Sequence, residues 1–74
     1  MTSPVRFTNH ALDKMDEREI TVEEVAAVIA SPQTVTAGET AVEYDGIVGG
    51  RALHVIVVRD SEPPLVITVW EPNR

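Results

Sequence analysis

Residues 8–29, TNHALDKMDEREITVEEVAAVI, decide the fold. They read as two helices joined by a tight elbow. Thr8 or Asn9 supplies a side-chain oxygen for the orphan N–H groups at the start of the first helix, residues 9–18. With His10 as origin and about 100° per residue, Lys14 and Arg18 fall at about 40° and 80°. Ala11, Met15 and Leu12 follow at about 100°, 140° and 200°, and Asp16, Asp13 and Glu17 close the circle. The helix therefore carries a basic, an apolar and an acidic stripe. Thr21 and Glu24 have the spacing of a capping box that opens the second helix, with Ile20 and Val25 as its hydrophobic staple. Val22, Val25, Ala26 and Ile29 share an arc of about 100° and form its expected buried face. Ser31-Pro32 ends it, because the residue before proline disfavours helix.

Outward from this pair, the pattern changes. On the N-terminal side, Val5 and Phe7 alternate with Arg6, which suits a brief extended segment or an apolar plug over the helices. Beyond Pro32 the apolar period becomes two. Strands are expected at residues 34–37, 40–44, 51–59 and 65–70, with a turn at Gly38. Asp45-Gly46 and Gly49-Gly50 flank the connection between the second and third of these. The run RALHVIVVR (51–59) is apolar on both faces from Ala52 to Val58 except at His54, as in a central strand. The loop to LVITVW (65–70) is about five residues, so the two strands form a hairpin. Their parity puts Leu53, Val55, Val57, Leu65, Ile67 and Val69 under the helices. His54 then lies opposite Trp70 and Ile56 opposite Thr68, on the other face, if Arg59 lies opposite Leu65. The expected fold class is α+β: two N-terminal helices packed on a three- to four-stranded antiparallel sheet.

The chain has 74 residues, enough for one domain over residues 1–74 and for only a small core. It has no cysteine, so neither a disulfide nor a thiolate metal site is expected to stabilise it. No apolar run reaches the roughly 18 residues of a membrane span, and MTSPVRF has no apolar signal segment. The expectation is a soluble cytoplasmic protein with no membrane contact. Net charge is −6. Such a chain repels polyanions, so RNA binding would have to rest on a local basic patch, a partner or a small exposed site.

No glycine-rich phosphate loop opens a helix, and no Ser- or Cys-centred nucleophile motif is present. His10 and His54 lie on different elements with no carboxylate at ligand spacing, so the expectation is no metal and no cofactor. What remains is an acid–base set of His10, Lys14, Arg18, Arg51, His54 and Thr68, with Trp70 beside it. Cleaving RNA at its 2′-OH takes a proton acceptor, a donor to the 5′ oxygen and cations for the pentavalent phosphate. His, Lys and Arg supply all three. Each residue also has an ordinary structural role: a solvated helix face, a hydrogen-bonded sheet histidine, a packed tryptophan.

The run HALDKMDEREITVEEV (10–25), with Arg51-Ala52-Leu53-His54-Val55 and Ile67-Thr68-Val69-Trp70, resembles a small bacterial family of uncharacterised domains. That family is similar to the RelE/ParE-like toxins and, more broadly, to barnase- and colicin-type ribonucleases. The resemblance covers nearly the whole chain. It implies two helices on a curved antiparallel sheet and metal-independent endoribonuclease activity, often as a toxin neutralised by an antitoxin. Its implied catalytic positions are His10, Arg18, Arg51 and Thr68, with Lys14 and Arg18 on RNA phosphate; His54 and Trp70 are additional candidates. Glu19 stands where the family commonly has Gly, and Trp70 where it often has Tyr.

Two functions follow as expectations. One is a toxin-type endoribonuclease acting on RNA by acid–base catalysis. The alternative is a non-catalytic protein-interaction module, or degenerate member, of the same fold. The partners expected are RNA, an antitoxin or other protein, and a second copy of the chain.

Overall fold

The computed structural model describes residues 5–72. Pro4, in the expected extended segment, lies outside them. The chain runs β1 (Arg6–Phe7), α1 (Asn9–Arg18), α2 (Val22–Ala30), β2 (Thr34–Ala37), β3 (Ala41–Val48), β4 (Arg51–Val58) and β5 (Leu65–Trp70). One sheet forms in the order β1-β5-β4-β3-β2. The α+β class is as expected, but the sheet has five strands, and β1 pairs in parallel with β5 through Arg6↔Leu65 and Phe7↔Val66. The expected wholly antiparallel sheet is thus corrected to a mixed one. The brief extended segment expected around Arg6 is this two-residue strand; its parallel pairing is what the residues do not announce, and Arg6 N–H to Pro64 carbonyl and Thr8 N–H to Val66 carbonyl complete it.

The helical elbow forms as its residues dictate. Thr8 caps α1 by accepting from Ala11 N–H, and its hydroxyl donates to Ile67 carbonyl at 3.0 Å, tying helix start to sheet. Glu19 takes the left-handed conformation (φ 57°, ψ 47°) without the ease of glycine, and Ile20 N–H closes on Met15 carbonyl at 2.8 Å. The Thr21–Glu24 capping box is complete in both directions, at 2.9 and 3.1 Å. We expect Thr21→Ala to cost about 1 kcal/mol, measured as a shift in urea midpoint, because the N3 N–H loses its acceptor. An unchanged midpoint would mean the box contributes nothing.

The core joins Ala11 and Met15 of α1, Ile20, Val25 and Val28 of α2 and its lead-in, and Leu53, Val55, Val57, Val66 and Val69 of the sheet. On α2 the buried positions are Val25 and Val28, whereas Val22 is exposed, so the expected face is corrected by rotation toward Val28. Val28 faces Gly46 of β3, where a Cβ would stand 3.4 Å from Val28 Cγ1, in ordinary van der Waals contact.

β3 also departs from the expected layout. Asp45-Gly46 is not part of a connection: β3 runs through it to Val48, and the two-residue turn is Gly49-Gly50, with φ of 59° and 82°. A third correction concerns β5. His54↔Trp70 and Ile56↔Thr68 pair as expected, but a bulge shifts the register so that Val57 pairs with Val66. Val66 and Val69 are buried, while Leu65 and Ile67 are only partly so. The Arg59–Leu65 pairing is absent because the bulge moves the register by one residue beyond Ile56, and β4 ends at Val58.

Candidate functional site

Both helices pack on the face that carries Leu53, Val55 and Val57. Successive side chains alternate across a sheet, so the intervening residues stand on a face no helix covers. Register fixes two rows there. Thr34, Asp45, His54 and Trp70 stand side by side across β2, β3, β4 and β5, and Thr36, Glu43, Ile56 and Thr68 form the next row.

The first row is tightly organised. His54 Nδ1 lies 2.7 Å from Glu43 Oε2 and 2.5 Å from Asp45 Oδ1. Only the Glu43 contact has hydrogen-bond geometry; Asp45 Oδ1 is sealed from solvent without a hydrogen-bond partner. One imidazole N–H cannot satisfy two carboxylates. On its other side the imidazole stacks against the indole of Trp70, with centroids 4.3 Å apart and planes 15° from parallel. Trp70 remains 40% exposed and Ile47, on the same face, 57% exposed.

The electrostatics follow from this crowding. Burial first, and the Glu43 carboxylate second, push the Asp45 carboxyl above its ordinary range. The hydrogen bond from His54 first, and one from Asp45 second, hold Glu43 below its own. The two act oppositely on stability. Asp45, raised, favours the fold most when protonated and loses that contribution as pH rises through its folded value. Glu43, lowered, contributes above its unfolded value and loses that contribution as pH falls through the folded one. Asp45→Asn is therefore expected to raise the melting temperature at neutral pH, with the gain shrinking once pH falls below the carboxylate range. Glu43→Gln is expected to lower it. A melting temperature that falls at neutral pH in Asp45→Asn would show that the ionised carboxylate is stabilising.

Glu43, Asp45 and His54 are also the set among the described residues whose donor atoms come within 4.8 Å of one another. Sequence spacing alone puts no carboxylate near His54, because Asp45-Gly46 has the composition of a turn. A Gly49-Gly50 turn pairs residues whose numbers sum to 99, which places Asp45 opposite His54; that was the available signal. The contacts to Nδ1 are hydrogen-bond distances, shorter than the roughly 2.9–3.4 Å between donors sharing an ion at about 2.0–2.1 Å.

The other expected site residues lie elsewhere. His10 and Arg18 are exposed on α1, and Lys14 pairs with Glu17 at 3.6 Å. Since α1 packs on β5 from the helix side, the sheet separates these three from His54. Arg51 has the parity of Leu53. Its guanidinium donates to Arg18 carbonyl (2.9 Å) and Glu19 carbonyl (3.2 Å), contacts Glu71 at 3.2 Å and lies 3.6 Å from Glu24. It clamps the elbow to the sheet. Thr68 stands on the open face one row from His54. The structure thus brings His54, Trp70 and Thr68 to one face and leaves His10, Lys14, Arg18 and Arg51 on the other side of the sheet.

A two-helix layer on one side of a five-stranded sheet, with an acidic, aromatic opposite face, is the class of domain this is. The chain belongs to the family described as domain of unknown function (DUF4258), which matches residues 7–71. No curated protein and no solved structure matches it. No helix among the described residues is long and apolar enough to cross a membrane.

Proposed function

We propose that this chain is a protein-binding module on a RelE/ParE-like fold, acting in the cytoplasm through the open face of its sheet. The observation that carries this reading is the distribution of charge. RNA cleavage needs cations at the phosphate. Among the described residues the face around His54 presents two carboxylates, and no Lys or Arg makes a hydrogen bond or ion pair with the cluster. Arg51 is committed to backbone carbonyls and to Glu71 and Glu24. A face of Glu43, Asp45, Trp70, Ile47 and Ile56 suits a protein surface better than a polyanion.

A second reading, metal-independent RNA cleavage of the toxin type, draws support from His54. Its Nδ1 is held by Glu43, and Nε2 has no hydrogen-bond partner among the described residues, as a proton acceptor for a 2′-OH requires. In that reading Thr68 and Trp70 flank the reacting group, and His10, Lys14 and Arg18 contact RNA separately.

Induced expression in a bacterial host, with growth and RNA integrity followed together, separates the two. The module reading expects intact RNA. RNA loss that disappears in His54→Ala or His10→Ala would replace it with the catalytic one.

A further inference from the structure

We infer that the open face binds an arginine-bearing, otherwise apolar segment of another protein, with the guanidinium on the Glu43–Asp45 carboxylates and the apolar side chains on Trp70, Ile56 and Ile47. This rests on the module reading and names the chemistry of its partner.

Three observations converge. The first is unmet acceptor capacity. The Glu43 and Asp45 carboxylates crowd one N–H, that of His54 Nδ1, while both side chains remain part-exposed, so acceptor lone pairs on the solvent side are left to an incoming donor. A planar guanidinium brings five donors in a fork that matches a carboxylate, which an ammonium does not. The second is charge complementarity. The face holds two carboxylates against one imidazole, on a chain of net charge −6, so a cationic segment is attracted both at long range and at contact. A phosphate-bearing ligand is repelled by the same groups. The third is an apolar surface already in place. Trp70 and Ile47 are exposed, and Ile56 is half-buried between Glu43 and Thr68. The indole is pre-ordered by its stack on His54, so little side-chain freedom remains to be lost on binding. Tryptophan and arginine are also the residue types that most often dominate protein interfaces.

The order of groups along the first row constrains the partner further. Carboxylate, imidazole and indole follow one another on adjacent strands, which lie about 4.8 Å apart. The partner's arginine and the apolar side chain that meets Trp70 should therefore be separated by about 10 Å, two strand spacings, whereas those that meet Ile56 and Ile47 lie nearer the arginine.

Trp70 is the chain's one tryptophan, so its fluorescence reports on this face alone. The full chain would be titrated with the blocked peptide Ac-Arg-Val-Arg-Leu-Arg-Val-amide, with its Glu-for-Arg counterpart, and with an oligouridylate. Calorimetry would provide the second readout. We expect a saturable fluorescence change with the Arg peptide, weakened about tenfold or more in Glu43→Gln, and a comparable loss by calorimetry in Trp70→Phe. No saturable signal with the Arg peptide, an equal signal with the Glu peptide, or binding unchanged in both variants would overturn the inference. Tighter binding of oligouridylate would overturn it in favour of RNA. If the peptide fails while cellular RNA stays intact, only the partner's chemistry is wrong. RNA cleavage that depends on His54 would remove the module reading itself.

Discussion

Leu53→Ala is expected to cost about 2–5 kcal/mol, a large part of what a domain this size has. Leu53 is completely buried and lies opposite Gly46 in the β3–β4 pair. Its side chain therefore stands beside Gly46, on the face that α2 covers. Truncation opens a cavity that Val28, already close against Gly46, is poorly placed to fill. The check is a urea unfolding curve alongside Ile47→Ala, an exposed residue on the opposite face, where a change within about 0.5 kcal/mol is expected. Similar midpoints for the two variants would mean the covered and open faces are assigned backwards.

Arg51→Ala is expected to lower the urea midpoint by more than Thr21→Ala does. The alanine leaves the carbonyls of Arg18 and Glu19 and the carboxylates of Glu71 and Glu24 without their shared cation. Arg51→Lys is expected to recover little, since an ammonium cannot span two carbonyls and a carboxylate with a planar fork. Full recovery by lysine would show that charge alone matters there. If the residue were instead part of an RNA-cleaving centre, Arg51→Ala would leave the midpoint in place and remove activity.

The contrast between these residues shows where the sequence was legible. The elbow was readable because its signals are local: Thr21 and Glu24 are three residues apart, and the capping box they form needs no tertiary information. The parity of β4 was readable for the same reason, since Leu53, Val55 and Val57 alternate strictly with Ala52, His54 and Ile56. The site was not, because it is assembled across strands. Glu43 and Asp45 meet His54 only through register, and register depended on which glycine pair makes the turn. Asp45-Gly46 has the composition of a hairpin turn, but both residues pair within the β3–β4 ladder, Asp45 with His54 and Gly46 with Leu53. The bulge in β5, which exchanges Ile67 for Val66 in the core, likewise leaves no mark in the period-two pattern. The family resemblance implies two helices on an antiparallel sheet, of which the helical pair and the α+β class are seen, and it singles out His10, Lys14, Arg18 and Arg51. The structure puts these on the helix side of the sheet, with Arg51 occupied as a clamp.

The proposed working surface is the uncovered face, with Glu43, Asp45, His54 and Trp70. Backbone amide shifts of the labelled protein, followed during titration with the Arg peptide, test it most directly. The largest changes are expected at residues 43–45, 54–56 and 68–70, all on β3, β4 and β5, with α1 unmoved. Changes concentrated at His10, Lys14 and Arg18 would contradict it and return the function to the basic stripe of α1.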